Sequence, residues 1–287
     1  MDGHLSGGGA VVDGIHLPPP DLADCLRNAL VTGLPGGAYV LPAALHPLLL
    51  VILEGGIAVR RDGVTYPLPP LSVCGGTRGA REATAEPGTR ILTVSLLPGG
   101  VRALFGVPGR ALMEEAVDPA RLLDRAGRGA LARFDDARRP AGCAVSGVWE
   151  LLREIRRGSD SPPALCVPPT LLDLPADALA ERFGVGLRQF ERRFLESYGQ
   201  ALRSYRRQLR CSRLLASLAG SDLTEGWAAL AVREGYADQA HLCRDVRRFT
   251  GYAPRELQAG IARDDPAFWP YRVDPKILAR HFGPTGF

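Results

Sequence analysis

The side chains best suited to chemistry in this sequence are arginines set at helical spacing behind glycine turns. In WAALAVREGYADQAHLCRDVRRFTG, residues 227–251, Trp227, Leu230 and Ala231 form one apolar stripe, Gly235 breaks it, and Leu242, Val246 and Phe249 form a second. At about 100° per residue, with Leu242 at zero, Val246 falls near 40° and Phe249 near 340°, while Ala240, Arg244 and Arg247 gather at about 140–200°. His241, Cys243 and Arg248 lie at the edges of that outward face, and Gln239 opens it. A guanidinium on such a face suits bidentate bonding to O6 and N7 of guanine, or the clamping of a phosphate.

The layout occurs twice. In DALAERFGVGLRQFERRFLESYG, residues 177–199, Leu179, Ala180 and Phe183 precede a turn at Gly184. A second helix from about Gly186 then turns Phe190 and Phe194 inward, with Arg188 and Arg192 at about 160–200° from Phe190. Gln189 and Glu191 flank them. A single unit of this kind resembles any helix corner with a glycine turn, and outward arginines are commonly just a solvated face. Two matched units weigh more, especially here. Residues 170–263 hold 15 basic and 11 acidic side chains and so carry the whole net charge of +4, which makes an anionic partner meet that segment first. Between the units, QALRSYRRQLRCSRLLASLAG places Leu202, Tyr205, Leu209 and Leu218 on a helical period. A rigid spacer of that sort suits two recognition helices in successive major-groove segments, about one helical turn or ~34 Å apart.

The elements before this region have a different period. LLLVILEGGIAVRRDGVTYPLPPLSVCGG and TRILTVSLLPGG are apolar runs broken by Gly-Gly, Asp62-Gly63 and prolines. Short strands at this spacing indicate a small barrel or sandwich, and Asp-Gly marks a hairpin. Residues 101–134 and VSGVWELLREIRRG read as helices, the latter with Val148, Leu151, Leu152 and Ile155 on one face. That face suits either a dimer interface or packing under its own barrel. GSDSPPALCVPP, residues 158–169, cannot continue a helix and is the expected linker. The expected fold is therefore α+β in two domains, a β-barrel or cupin-like sensor domain with helices over 1–157 and an all-α double helix-turn-helix domain over 170–263. A tail at 264–287, rich in Phe268, Trp269, Tyr271 and Phe282, is expected to fold back onto a domain surface.

Residues 171–259 resemble the DNA-binding domain of AraC/XylS-type bacterial transcription regulators. The likeness rests on LAERFGVGLRQFERRF, YRRQLR and AVREGYADQAHLCRDVRRFTGYAPREL, the last closing in Thr250, Gly251 and Pro254 as a Thr-Gly-x-x-Pro cap. It implies that Arg188, Glu191 and Arg192 in the first unit, and Gln239, Ala240, Cys243 and Arg244 in the second, face DNA; Gln189, His241 and Arg247 complete the candidate set. Four positions depart from the pattern. Val246 stands where a phenylalanine is usual, Gly186 where a capping serine is frequent, and Ala240 and Cys243 bring little base-edge chemistry. The resemblance further implies double-stranded promoter or operator DNA, a small-molecule effector, a second copy of the chain and RNA polymerase as partners. It also implies an effector-binding or dimerising N-terminal domain. PGGVRALFGVPGRALMEEAVDPARLL is similar to a segment of some sensor domains of these regulators.

For the effector, strand alternation selects His46, Glu54, Arg60, Tyr66 and Cys74 as inward candidates. The rival class is a cupin-like enzyme or metal-binding protein with an appended basic helical domain. It needs about three clustered ligands, whereas the five histidines are scattered and only His46 falls in the barrel segment. No metal or cofactor is expected, and no catalytic residue. A non-specific nucleoid-type binder is a third reading. The six cysteines form no close pair, so a disulfide framework or zinc ribbon is not indicated. Cys25 or Cys74 as a redox switch needs an electropositive, accessible setting. SGGGAVVDG lacks the ending of a phosphate-binding loop and reads as a mobile N-terminal arm. Without a signal-like or membrane-spanning run, the expected compartment is the cytoplasm, with no membrane partner.

Overall fold

The computed structural model describes residues 11–137, 141–159, 161, 164–218 and 226–272. Its N-terminal part is built on antiparallel strands: β1 (Val11–His16), β2 (Leu26–Gly33), β3 (Gly37–Leu41), β4 (Leu48–Glu54), β5 (Ile57–Arg61), β6 (Val64–Pro67), β7 (Leu71–Cys74), β8 (Arg81–Ala85) and β9 (Arg90–Leu96). They form two sheets rather than a closed barrel, one of six strands in the order β1-β2-β9-β4-β7-β10 and one of four in the order β3-β8-β5-β6, where β10 is Ala116–Val117. Asp62 and Gly63 form the two-residue turn of the β5–β6 hairpin. Both have positive φ, 50° and 81°, as a turn that matches the strands' twist requires.

The long apolar runs are explained by where their sheet lies. In β4, Leu49 and Val51 face a helical layer, whereas Leu50 and Ile52 face the smaller sheet; in β9, Leu92 and Val94 face the helices and Ile91 the other sheet. Successive side chains alternate between two covered faces, so both sets must be apolar. The helical layer is α1 (Gly100–Phe105), α2 (Arg125–Ala137) and α3 (Ala141–Arg157). Val148, Leu151, Leu152 and Ile155 of α3 are buried in it against the six-stranded sheet. Of the two uses expected for that face, packing under its own sheet is the one adopted.

Two expectations are corrected. Residues 11–14, read as part of a mobile arm, belong to β1, which pairs with β2 as an edge strand, with a register shift between Val12 and Ile15 that accommodates Gly14 at φ 134°. Residues 101–134 are not continuously helical, because Gly106 at φ 69° ends α1, Pro108 opens a single 3-10 turn, and Glu114 at φ 68° leads into β10.

The C-terminal part is helical: α4 (Ala176–Arg182), α5 (Leu187–Tyr198), α6 (Leu202–Leu218), α7 (Trp227–Arg233), α8 (Gln239–Thr250) and α9 (Pro254–Ala262). Each α-helical pair has its own core. Leu179, Phe190, Phe194, Leu202, Tyr205 and Leu209 are buried together around α4, α5 and the first half of α6. Leu214, Leu230, Ala231, Leu242, Val246 and Phe249 are buried together around its second half. The proline-rich segment is anchored at its end, where buried Val167 exchanges hydrogen bonds with the Tyr198 hydroxyl, 2.8 Å from its N–H and 3.3 Å to its carbonyl. Within the tail, residues 266–271 form a 3-10 turn folded back onto the protein, Phe268 and Tyr271 buried with the α7–α9 core and Trp269 edge-on to Tyr39 of β3 at 5.4 Å. Phe282 lies outside the described residues.

Phe194 is the keystone of the first unit. It is fully buried, stacked on Tyr198 at 3.9 Å and edge-on to Tyr205 at 5.7 Å. Phe194→Ala is expected to destabilise the protein by about 3–5 kcal/mol through lost burial and a residual cavity, read as a lowered urea midpoint.

Candidate nucleic-acid interface and effector cavity

Two features organise the site: a pair of outward arginine faces and a cavity between the sheets. The first face belongs to α5, where Arg188, Gln189, Glu191 and Arg192 are all exposed opposite buried Phe190 and Phe194. Its N-cap is Gly186 in an extended conformation with no side-chain bond, so no capping side chain satisfies the N–H groups of its first turn. The second face belongs to α8, where Gln239, Ala240, Arg244 and Arg247 are exposed opposite Leu242, Val246 and Phe249. Asp238 caps this helix by accepting from the His241 N–H at 2.6 Å. Among the described residues, no side-chain hydrogen bond or ion pair engages Arg188, Arg192, Arg244 or Arg247.

His241 and Cys243 are the two candidates that the structure turns partly inward. The His241 ring is edge-on to Tyr236 at 5.3 Å, with Nε2 3.7 Å from Asp245 Oδ2, and Cys243 packs against the core of its unit. Asp245 is a residue that sequence reasoning missed. It is fully buried on α8, and Arg207 Nε of α6 donates to its Oδ1 at 2.6 Å. The only available signal was an acid one position from the apolar stripe.

The cavity measures about 830 Å³ and lies between the two sheets, with Leu30, Leu50, Ile57 and Ile91 on its walls, Thr32, Thr93 and Ser95 between them, and Ser212, Leu215, Ala216 and Trp269–Tyr271 closing the side toward α6. His46, Arg60, Tyr66 and Cys74 line it. Glu54 does not. The register shift between Ile52 and Glu54 and the turn at Gly55 carry it out to the surface, 3.5 Å from Arg90 Nη1. His46 stands at the boundary with the helical domain, its Nε2 3.4 Å from the Tyr205 hydroxyl. The charges in the lining sit in pairs, Arg61 with Glu115 at 2.9 Å and Arg81 with Glu114, while Arg60 meets Glu82 at 3.2 Å. The cavity interior is therefore apolar with hydroxyl groups, and its charged groups are mutually compensated. Thr93 and Ser95, alternating within ILTVSL, were the legible sign of it; Trp269, remote in sequence, gave none.

The thiols do not fit a redox switch. Burial, followed by the neighbouring Asp24 carboxylate, pushes Cys25 up to about 12, and burial does the same to Cys74. Both are thus protonated at neutral pH and poor nucleophiles. Iodoacetamide at pH 8 is expected to leave buried Cys25 unmodified by peptide mass spectrometry while partly exposed Cys243 reacts; fast labelling of Cys25 would contradict the geometry.

The structure thus joins a β-sandwich to a helical part that carries the two arginine faces. Residues 179–260 match the family model described as a helix-turn-helix domain. No curated protein sequence matches the chain. Similar solved structures include ToxT from Vibrio cholerae O395, 11% identical, covering 80% of this chain and 96% of that one with a TM-score of 0.44. A second ToxT structure from Vibrio cholerae is 9% identical, covering 88% and 98% with a TM-score of 0.45. The AraC-like transcriptional activator CuxR is 15% identical, covering 69% and 85% with a TM-score of 0.24. No described helix is long and apolar enough to cross a membrane.

Proposed function

We propose that this chain is a sequence-specific, DNA-binding transcription regulator of the AraC type, whose N-terminal β-sandwich takes a small apolar effector. The observation that carries the reading is the matched pair of exposed arginine faces on α5 and α8, inside a region that matches a helix-turn-helix family. It acts by binding and does no covalent chemistry. The effector site is the cavity of about 830 Å³, with His46, Arg60, Tyr66 and Cys74 among its contacts. Residues 1–157 form the sensing part, 158–169 the linker and 170–263 the DNA-binding domain, working in the cytoplasm. A homodimer that uses a surface other than the apolar face of α3, and contact with RNA polymerase at the promoter, complete the proposal.

The test is fluorescence anisotropy on a binding site and on a scrambled duplex, each at 50 and 200 mM salt. A sequence-specific regulator holds a preference of about 10³-fold or more for its site at physiological salt. A non-specific binder instead shows equal affinities that fall together with salt.

A further inference from the structure

The loop between β7 and β8 makes contacts that its own sheet does not need. Through Thr77, Arg78, Gly79 and Ala80 it meets three helices of the DNA-binding domain. Arg78 Nη2 donates to the carbonyl of Gly199, the residue that ends α5, at 3.4 Å. Gln208 Nε2 of α6 donates to the Thr77 carbonyl at 3.0 Å. Near the end of α8, the Ala80 N–H donates to the Arg248 carbonyl at 3.3 Å, and Arg248 Nε donates to the Arg78 carbonyl at 3.4 Å. One four-residue segment thus touches both recognition helices near their C-terminal ends; Arg188, Arg192 and Arg244 lie earlier on those helices, while Arg247 shares the last turn of α8 with Arg248.

The same loop is fastened to the cavity wall. Thr77 exchanges two bonds with Ala44, each 2.8 Å, and the Arg78 N–H donates to Glu114 Oε1 at 2.7 Å, while Glu114 Oε2 holds Arg81. Thr77, Arg81 and Glu114 all line the cavity. Glu114 sits at φ 68°, a left-handed conformation that a non-glycine residue keeps only where its surroundings over-determine it. Here the surroundings are those bonds and the Glu114 N–H to the Gly76 carbonyl at 2.9 Å.

We propose that the Thr77–Ala80 loop is a splint that sets the two recognition helices relative to each other, and that Glu114 ties the splint to whatever fills the cavity. The inference deepens the regulator reading and rests on it. A ligand moves such an equilibrium only by binding one arrangement better than the other, and the strained, pocket-lining Glu114 gives it a group through which to do so. Without the splint, each helix-turn-helix unit keeps its own core and still binds its own DNA segment.

The experiment compares the full-length protein with Arg78→Ala, and with a variant carrying two glycines inserted after Gly79, on two DNAs: a selected full site and the same site with one box scrambled. Neither change alters Arg188, Arg192, Arg244 or Arg247, so the half-site affinity also reports that the units are folded. The splint predicts a change of about tenfold or more on the full site and less than about twofold on the half-site. A loss shows that the splint presets the DNA-binding arrangement; a gain shows that it holds the helices out of it. No change on either DNA, or a parallel change on both, would overturn the proposal. In a second arm the neutral apolar dye Nile red is the cavity probe. Arg78→Ala should bind it as the wild type does, yet lose the shift in full-site affinity that the dye causes in the wild type; an equal shift in both proteins would refute the link to the cavity. Failure of the dye to bind wild type would sink the effector-cavity reading and the Glu114 link, while the half-site comparison, which needs no ligand, still decides the splint.

Discussion

Arg244→Ala is expected to weaken binding at a cognate site by about 1–3 kcal/mol, on the order of 5- to 150-fold, and to relax the base preference at one position. Arg192→Ala should do the same at a second position, within the other half of the site. The expectation follows from the geometry. Both side chains are exposed on helices held down by buried aromatic and aliphatic residues, and neither has a bond to break among the described residues before it can meet DNA. A phosphate clamp gives a different signature, a uniform loss across sequences with a salt slope lower by about 1. Ala240 beside Arg244 has no hydrogen-bonding side chain, so base reading by α8 falls to Arg244, Gln239 and Arg247 or to apolar contact with a thymine methyl. Fluorescence anisotropy on the selected site and on its single-base variants separates these cases; unchanged affinity and preference in both mutants would remove the base-reading role.

Arg207→Ala is expected to cost about 3 kcal/mol of stability. Asp245 is fully buried, and Arg207 is its ion-pair partner across the α6–α8 contact. Truncating one member of such a pair leaves an uncompensated buried charge, typically at about 3–5 kcal/mol. The lower end applies because 40% of the Arg207 side chain is exposed, which lets water reach the site. The double variant Arg207→Leu with Asp245→Leu should recover most of the loss, since an apolar pair of similar volume needs no compensation. Urea unfolding of the single and double variants measures this directly. A single variant within about 0.5 kcal/mol of wild type would show that the pair is not what seats α8.

The helical half of the molecule was legible in the sequence because its signal is local. Leu179, Phe190, Phe194, Leu230, Leu242, Val246 and Phe249 recur at three and four residues, and all are buried. The glycines at 184 and 235 both take φ near 64–71°, as the turns require. The sandwich was legible only in outline. A sheet covered on both faces erases the alternation that would have told inward from outward, which is why Leu48 to Leu53 read as one run and why Glu54 was assigned to the interior. What stayed hidden is long-range. The closure of the cavity by Trp269, the Arg207–Asp245 pair and the contacts of the Thr77–Ala80 loop join residues 38 to 230 positions apart, and no periodicity encodes such encounters.

Selection of binding sites from random duplex DNA by the full-length protein tests the central claim most directly. Two recognition helices on one spacer predict an enriched site with two short boxes about one helical turn, ~34 Å, apart, one box lost with Arg192→Ala and the other with Arg244→Ala. Recovery of no enriched sequence, or of a single box indifferent to both substitutions, would contradict it.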